Sequence, residues 1–120
     1  MIQKLDISGV HMTVGDDLRK YVLRKVGHLD RYMPKHARES VHVEVRLKET
    51  NTKTKNERTC EIVLHLPKEV IAVTETTINM YAAIDIAEEK LKARLHKYKE
   101  MHGTPALHRR VLARLKHQTS

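Results

Sequence analysis

A chain of 120 residues has room for one domain with a single modest core. Its 23 Lys and Arg against 15 Asp and Glu leave a net charge of +8, which favours a polyanionic partner, and no apolar run approaches the ~20 residues that span a bilayer. A lone cysteine, Cys60, excludes an internal disulfide framework and fits a reducing compartment, while the absence of Trp and Phe argues against reading unpaired bases by stacking them on strand aromatics.

Residues Ile2 to Met12 carry Ile2, Leu5, Ile7, Val10 and Met12 in a broken alternation, which predicts a first strand. This N-terminal stretch lacks the apolar core of a secretory signal, so a cytosolic, cytoplasmic location with no membrane is expected. Thr13 is placed as a helix N-cap, with Asp16 three residues on as the capping-box acid and Asp17 adding negative charge to the first turn. The helix predicted from Val14 to Met33 turns Leu18, Tyr21, Val22, Val26, Leu29, Tyr32 and Met33 to one face. Lys20, Arg24 and Arg31 line the far side, with His28 nearby. Lys25 falls inside the apolar arc, so its stem is expected along the sheet edge with its ammonium in water. Pro34 stops the helix.

Ser40 to Glu49 alternates cleanly, setting Val41, Val43, Val45 and Leu47 against His42, Glu44, Arg46 and Lys48 in the pattern of a half-buried strand. Thr50 to Asn56 reads as a polar hairpin loop with Lys53 and Lys55 at its tip, and Glu57 to Leu66 resumes the alternation with Cys60, Ile62, Leu64 and Leu66 inward. Pro67-Lys68 turns the chain into a last strand, Glu69 to Thr76, after which Thr76 or Thr77 can cap a second helix.

That second helix, Ile78 to Met101, carries the densest information. At ~100° per residue, Met80, Tyr81, Ile84, Ala87, Leu91, Leu95 and Tyr98 share one face. Lys90, Arg94 and Lys97 form a stripe on one flank, and Asp85, Glu89 and Glu100 gather on the other. Ordinary i,i+4 pairing would interleave the signs, so sorted charge marks a surface for anions, with RNA the expected one and a merely solvated face the alternative. The fold class is α+β in the order β-α-β-β-β-α: a four-stranded mixed sheet, strands one and two parallel, with two helices packed on one face and the other face polar and open. The two basic helix faces are then expected side by side, as one surface.

Chemistry of other kinds finds little support. None of the nine histidines falls into a C-x-x-C or H-E-x-x-H spacing, and His42 and His65 sit on separate strands, so no metal site is expected. Asp16, Asp17, Glu88 and Glu89 are adjacent pairs whose members point to different helix faces, and neither a Gly-rich phosphate loop nor a Ser or Cys nucleophile motif is present. Neither an enzyme, a cofactor nor a small-molecule substrate is expected.

The run MYAAID from Met80 to Asp85, KLKARLHKYK from Lys90 to Lys99, LRKYVLRKVGHLDRY from Leu18 to Tyr32 and HLPKE from His65 to Glu69 together resemble the ribosome hibernation promoting factor family, also called ribosome-associated inhibitor A or sigma-54 modulation protein. The similarity runs colinearly over Met1 to Met101, the expected ribosome-binding domain. It implies a fold similar to double-stranded-RNA-binding domains and a protein, monomeric off the ribosome, that binds 16S rRNA across the decoding region of the small ribosomal subunit. There it would block the mRNA and tRNA sites and inhibit translation in stationary phase or stress. Carried over by position, the rRNA-binding residues are Lys20, Arg24, Lys25, His28 and Arg31, then Lys90, Arg94 and Lys97, with Lys53 and Lys55 in the hairpin as further candidates. Long members add a C-terminal dimerisation domain; this chain resembles the short forms. Its residues 102–120 form a basic tail in which Arg109, Arg110, Arg114 and Lys116 meet no acid, read as an arm that orders on rRNA or a frayed terminus. The alternative function is a general duplex-RNA or DNA-binding module or a transcription modulator. Membrane-surface attachment through the tail is disfavoured by its short apolar face.

Overall fold

The computed structural model describes residues 1–102, so the expected tail lies outside the described residues apart from His102. In chain order the elements are β1 (Lys4–Val10), α1 (Asp16–Val26), a 3-10 turn (Leu29–Tyr32), α2 (Lys35–Arg38), β2 (His42–Asn51), β3 (Asn56–Leu66), β4 (Glu69–Thr77) and α3 (Met80–His102). The four strands form one sheet in the order β1-β2-β3-β4. β1 runs parallel to β2, as a helical crossover between them requires, and β3 and β4 follow as antiparallel hairpins. The expected α+β architecture is therefore present, with one short helix more.

Alternation decides which way each strand faces. Val43, Val45 and Leu47 of β2, Cys60, Ile62, Leu64 and Leu66 of β3, and Ile71 and Val73 of β4 all point under the helices and are buried. Val22 and Val26 of α1 and Ala83, Ile84, Ala87, Leu91, Leu95 and Tyr98 of α3 close the core from above. At roughly 1.5–3 kcal/mol per fully buried large aliphatic side chain, this one layer supplies most of what holds the fold. The sheet face away from the helices is mostly polar, broken by Val63, Val70 and Ala72, and is laced by cross-strand pairs such as Arg46–Glu61 (3.2 Å) and Thr59–Thr76 (2.9 Å).

Local chemistry departs from expectation at the helix ends. Thr13 does not cap α1: the helix begins at Asp16, the N-cap position is Gly15, and no side chain bonds its first turn. Asp16 and Asp17 nevertheless lie in that turn, where they complement the helix dipole. The first helix also stops seven residues before Met33. Gly27 caps it with its N–H on the Leu23 carbonyl at 2.9 Å, and a Cβ there would stand 2.3 Å from that carbonyl oxygen, too close for any other residue without a shift. The chain continues as the 3-10 turn, and Pro34 then opens α2 rather than merely ending α1, since its ring suits a helix start.

Neither Thr76 nor Thr77 caps α3, because both belong to β4. Asn79 does so, its Oδ1 accepting the backbone N–H of Tyr81 at 2.9 Å and of Ala82 at 3.4 Å. The β2–β3 hairpin is tighter than expected: the strands run on to Asn51 and from Asn56, and Thr52 Oγ1 accepts the N–H of Lys55 at 2.9 Å to close the loop. At the other hairpin, Pro67 and a positive φ of 70° at Lys68 fit a two-residue turn, pinned from above by the Tyr98 hydroxyl donating to the Pro67 carbonyl at 2.7 Å. Burial and the nearby Glu69 hold that hydroxyl's pKa above the usual phenol range.

Candidate nucleic-acid interface

The basic residues do not form one population. On α1, Lys20 and Arg24 are exposed on the side away from Val22 and Val26, and the Arg24 guanidinium lies 5.2 Å from the centre of the Tyr21 ring. Beyond the Gly27 break, His28 is exposed, and Arg31 stacks 5.5 Å from the Tyr32 ring with its Nε donating to the His28 carbonyl at 3.3 Å. These contacts orient the two guanidiniums without neutralising them. Lys20, Arg24, His28 and Arg31 have no ion-pair partner among the described residues, and they follow one another along one stretch of chain.

Lys25 behaves differently. Its stem was expected along the sheet edge, but Nζ reaches across to α3 and sits 3.4 Å from Asp85 Oδ1. The Tyr21 hydroxyl donates to the same carboxylate, and the Tyr21 and Tyr81 rings meet edge to face at 4.8 Å. Asp85 holds the phenolic proton in place, pushing the Tyr21 pKa up to about 12. The seam between the two long helices is therefore a polar and aromatic clasp. Tyr81, read as a core residue, is 43% exposed because it belongs to this clasp.

On α3 the basic stripe turns the other way. Asp85 and Lys90 are five residues apart, about 140° around a helix. With Asp85 drawn to α1, Lys90 must lie on the far flank, where it pairs with Glu75 of β4. Arg94 beside it donates to the Ala72 carbonyl of β4 at 2.8 Å, while Lys97 is exposed with no ion-pair partner among the described residues. The single surface expected from two parallel basic faces is thus not what the packing produces. One set lies on the solvent side of α1 and the turn after it; the other lies along the β4 edge, with the body of α3 between them. The physical reason is that the acidic flank of α3, not the basic one, is complementary to Lys25 and Tyr21.

Lys53 and Lys55 are exposed at the hairpin tip, where the backbone of Lys55 is engaged by Thr52. Two groups escaped the sequence reading. α2 adds exposed Lys35, His36 and Arg38 directly after Arg31, and Pro34 followed by helix-compatible residues was the signal that could have found it. Lys92 pairs with the buried Glu88 at 3.1 Å and with Glu89 at 3.3 Å, and lies 5.7 Å from the Tyr32 ring, so hydrogen bonds to both acids raise its pKa. It tethers α3 to the 3-10 turn and is not available to a ligand without breaking those bonds.

His42 and His65 do sit on separate strands, but the β2–β3 register places them directly opposite each other, with Glu44 within reach of both. Sequence spacing alone does not show cross-strand partners.

No helix among the described residues is long and apolar enough to cross a membrane. The family model for Sigma 54 modulation protein / S30EA ribosomal protein matches residues 5–102. A ribosome hibernation promotion factor from Lactococcus lactis subsp. cremoris is 32% identical over 98 residues, covering 80% of this chain and 49% of that protein. One from Staphylococcus aureus is 30% identical over 96 residues, covering 80% and 48%. The chain thus spans about half the length of these curated relatives. Among solved structures, the N-terminal domain of Thermus thermophilus Protein Y superposes with a TM-score of 0.66 at 27% identity, over 78% of this chain and 94% of that one. A ribosomal subunit interface protein from Coxiella burnetii has a similar fold, with a TM-score of 0.63 at 22% identity over 79% and 96%.

Proposed function

We propose, from the premise that this chain belongs to the Sigma 54 modulation protein / S30EA ribosomal protein family, that it binds the small ribosomal subunit as a hibernation factor and inhibits translation there. The contact would be made to 16S rRNA in the decoding region, across the mRNA and tRNA sites, in stationary phase or stress. The observation that carries the reading is the run of unneutralised cations Lys20, Arg24 and Arg31, with exposed His28 among them, mounted on elements anchored in the core through Val22, Val26 and Leu29. Phosphate contacts of this kind need charge and rigidity rather than base-edge complementarity, and folded rRNA offers a fixed contour of phosphates.

Within the expected set, Lys20, Arg24, His28, Arg31 and Lys97 are the first-rank contacts, with Lys53 and Lys55 extending them at the hairpin. Lys25, Lys90 and Arg94 would first have to leave Asp85, Glu75 and the Ala72 carbonyl. The reading is supported by the two relatives, both ribosome hibernation promotion factors. The test is co-sedimentation of the full chain with purified small subunits and, in parallel, with free duplex RNA of matched concentration. Preferential pelleting with subunits, together with loss of translation inhibition in a Lys20→Glu, Arg24→Glu variant that keeps its circular dichroism spectrum, is the expected result. Equal affinity for both RNAs would make the protein a general duplex-RNA binder. Truncation after Met101 tests the basic tail: weakened subunit binding is expected if it forms an arm on rRNA.

A further inference from the structure

Away from both basic sets, the open face of the sheet carries a cluster outside the proposed rRNA contacts. His42 of β2 and His65 of β3 are cross-strand partners whose rings stack with centroids 5.4 Å apart and planes 23° from parallel. Glu44, two residues along β2 and on the same face, brings Oε2 to 3.2 Å from His65 Nε2. Asp6, which pairs with Glu44 in the β1–β2 register, places Oδ2 2.9 Å from His42 Nε2. One ligand atom each from His42, Glu44 and His65 lies within 4.8 Å of the others.

The geometry points to a divalent transition-metal site of the zinc class, ligated by His42, His65 and Glu44, with Asp6 completing four. Imidazole nitrogen and carboxylate oxygen are the donors such an ion prefers over Mg²⁺ or Ca²⁺, which take all-oxygen shells. Ligands of a tetrahedral zinc stand about 3.4 Å apart, given metal–ligand bonds of roughly 2.0–2.1 Å. The Glu44–His65 pair already meets that separation, and the widest pair need close by little more than 1 Å, which exposed side chains do by rotating about χ1 and χ2.

Solvated ion pairs would account for His42 with Asp6 and His65 with Glu44, but the stacked rings also bring Glu44 within reach of both histidines. Here adjacent strands bring two imidazoles and the Glu44 carboxylate within 4.8 Å of one another, with the Asp6 carboxylate beside His42, from backbone held in register by ladder hydrogen bonds. Two carboxylates would balance a divalent ion's charge, and the bound ion would clip β1, β2 and β3 together at one end of the sheet, stabilising the folded state by mass action.

The experiment is calorimetric titration of the full chain with zinc chloride in a non-chelating buffer, alongside amide-resolved NMR. One equivalent is expected to bind, with the first-equivalent shifts confined to residues 6, 42–44 and 65. Because loss of an outer-shell partner alone costs 10–100-fold, the double variant His42→Gln, His65→Gln should weaken that binding by at least about 100-fold. Circular dichroism checks that this variant folds; if it does not, Glu44→Gln replaces it, with at least about tenfold weakening expected and loss of the intense visible bands of the cobalt-substituted protein. First-equivalent shifts at any of the other seven histidines, or affinity unchanged in a folded variant, would overturn the assignment.

Discussion

The division of the basic residues into unneutralised and internally paired sets makes a quantitative prediction. Consider the triple variant Lys20→Ala, Arg24→Ala, Arg31→Ala, three exposed positions with no ion-pair partner among the described residues. Each cation that neutralises a phosphate contributes about 0.9 to the slope of log affinity against log salt, so losing three should flatten that slope by about 2.7. Over a fourfold rise in salt from 50 to 200 mM, the wild type should lose about 40-fold more affinity than the triple variant. The double variant Lys25→Ala, Lys90→Ala removes two charges already matched by Asp85 and Glu75, and should change the slope by less than about 1. Fluorescence titration of labelled protein with small subunits at four or five potassium chloride concentrations measures both slopes. If the double variant flattened the slope by the ~1.8 expected of two phosphate contacts, the intramolecular pairs would not be holding those ammoniums, and the ranking of contacts would fail.

Four further outcomes follow from the packing. Leu95→Ala empties a fully buried position at the α3–sheet interface and should cost about 2–5 kcal/mol in urea denaturation; Asn79→Ala removes the cap of α3 and should cost about 0.5–2 kcal/mol by the same assay, a neutral effect refuting the capping role. The Tyr21 hydroxyl, raised to about 12 by its bond to Asp85, is a group whose folded pKa exceeds its unfolded one near 10. Its contribution is therefore complete below pH ~10 and lost as pH rises through 12, and Tyr21→Phe should remove that part of the alkaline decline in stability. Cys60, buried under the helices with its thiol pushed up to about 12 by desolvation, should resist alkylation at pH 8 until the protein unfolds; fast modification of the native chain would show the core to be open there.

Much of this was legible along the chain. The alternation of Val41 to Leu47 and of Cys60 to Leu66 identified two strands and their buried faces, because a half-buried strand imposes a period of two on its own residues. The 3.6-residue spacing of Ile84, Ala87, Leu91, Leu95 and Tyr98 did the same for α3. It misled at Leu29, Tyr32 and Met33, which keep their place in the core from a 3-10 turn and a loop, so that an unbroken apolar pattern concealed the end of α1 at Gly27. Tyr81 fits the apolar arc yet spends its ring on Tyr21.

The candidate site divides along the same line. That Lys20, Arg24 and Lys97 point to water was settled by the residues themselves, since each lies opposite apolar positions that only burial can satisfy. Which flank of α3 would meet α1, that Lys90 would be met by Glu75, and that His42 would face His65 were decided by the assembled sheet and helices. Periodicity describes how one element divides itself between core and solvent. Partnership depends on the register and flanks of a second element, and those emerge only when distant segments pack.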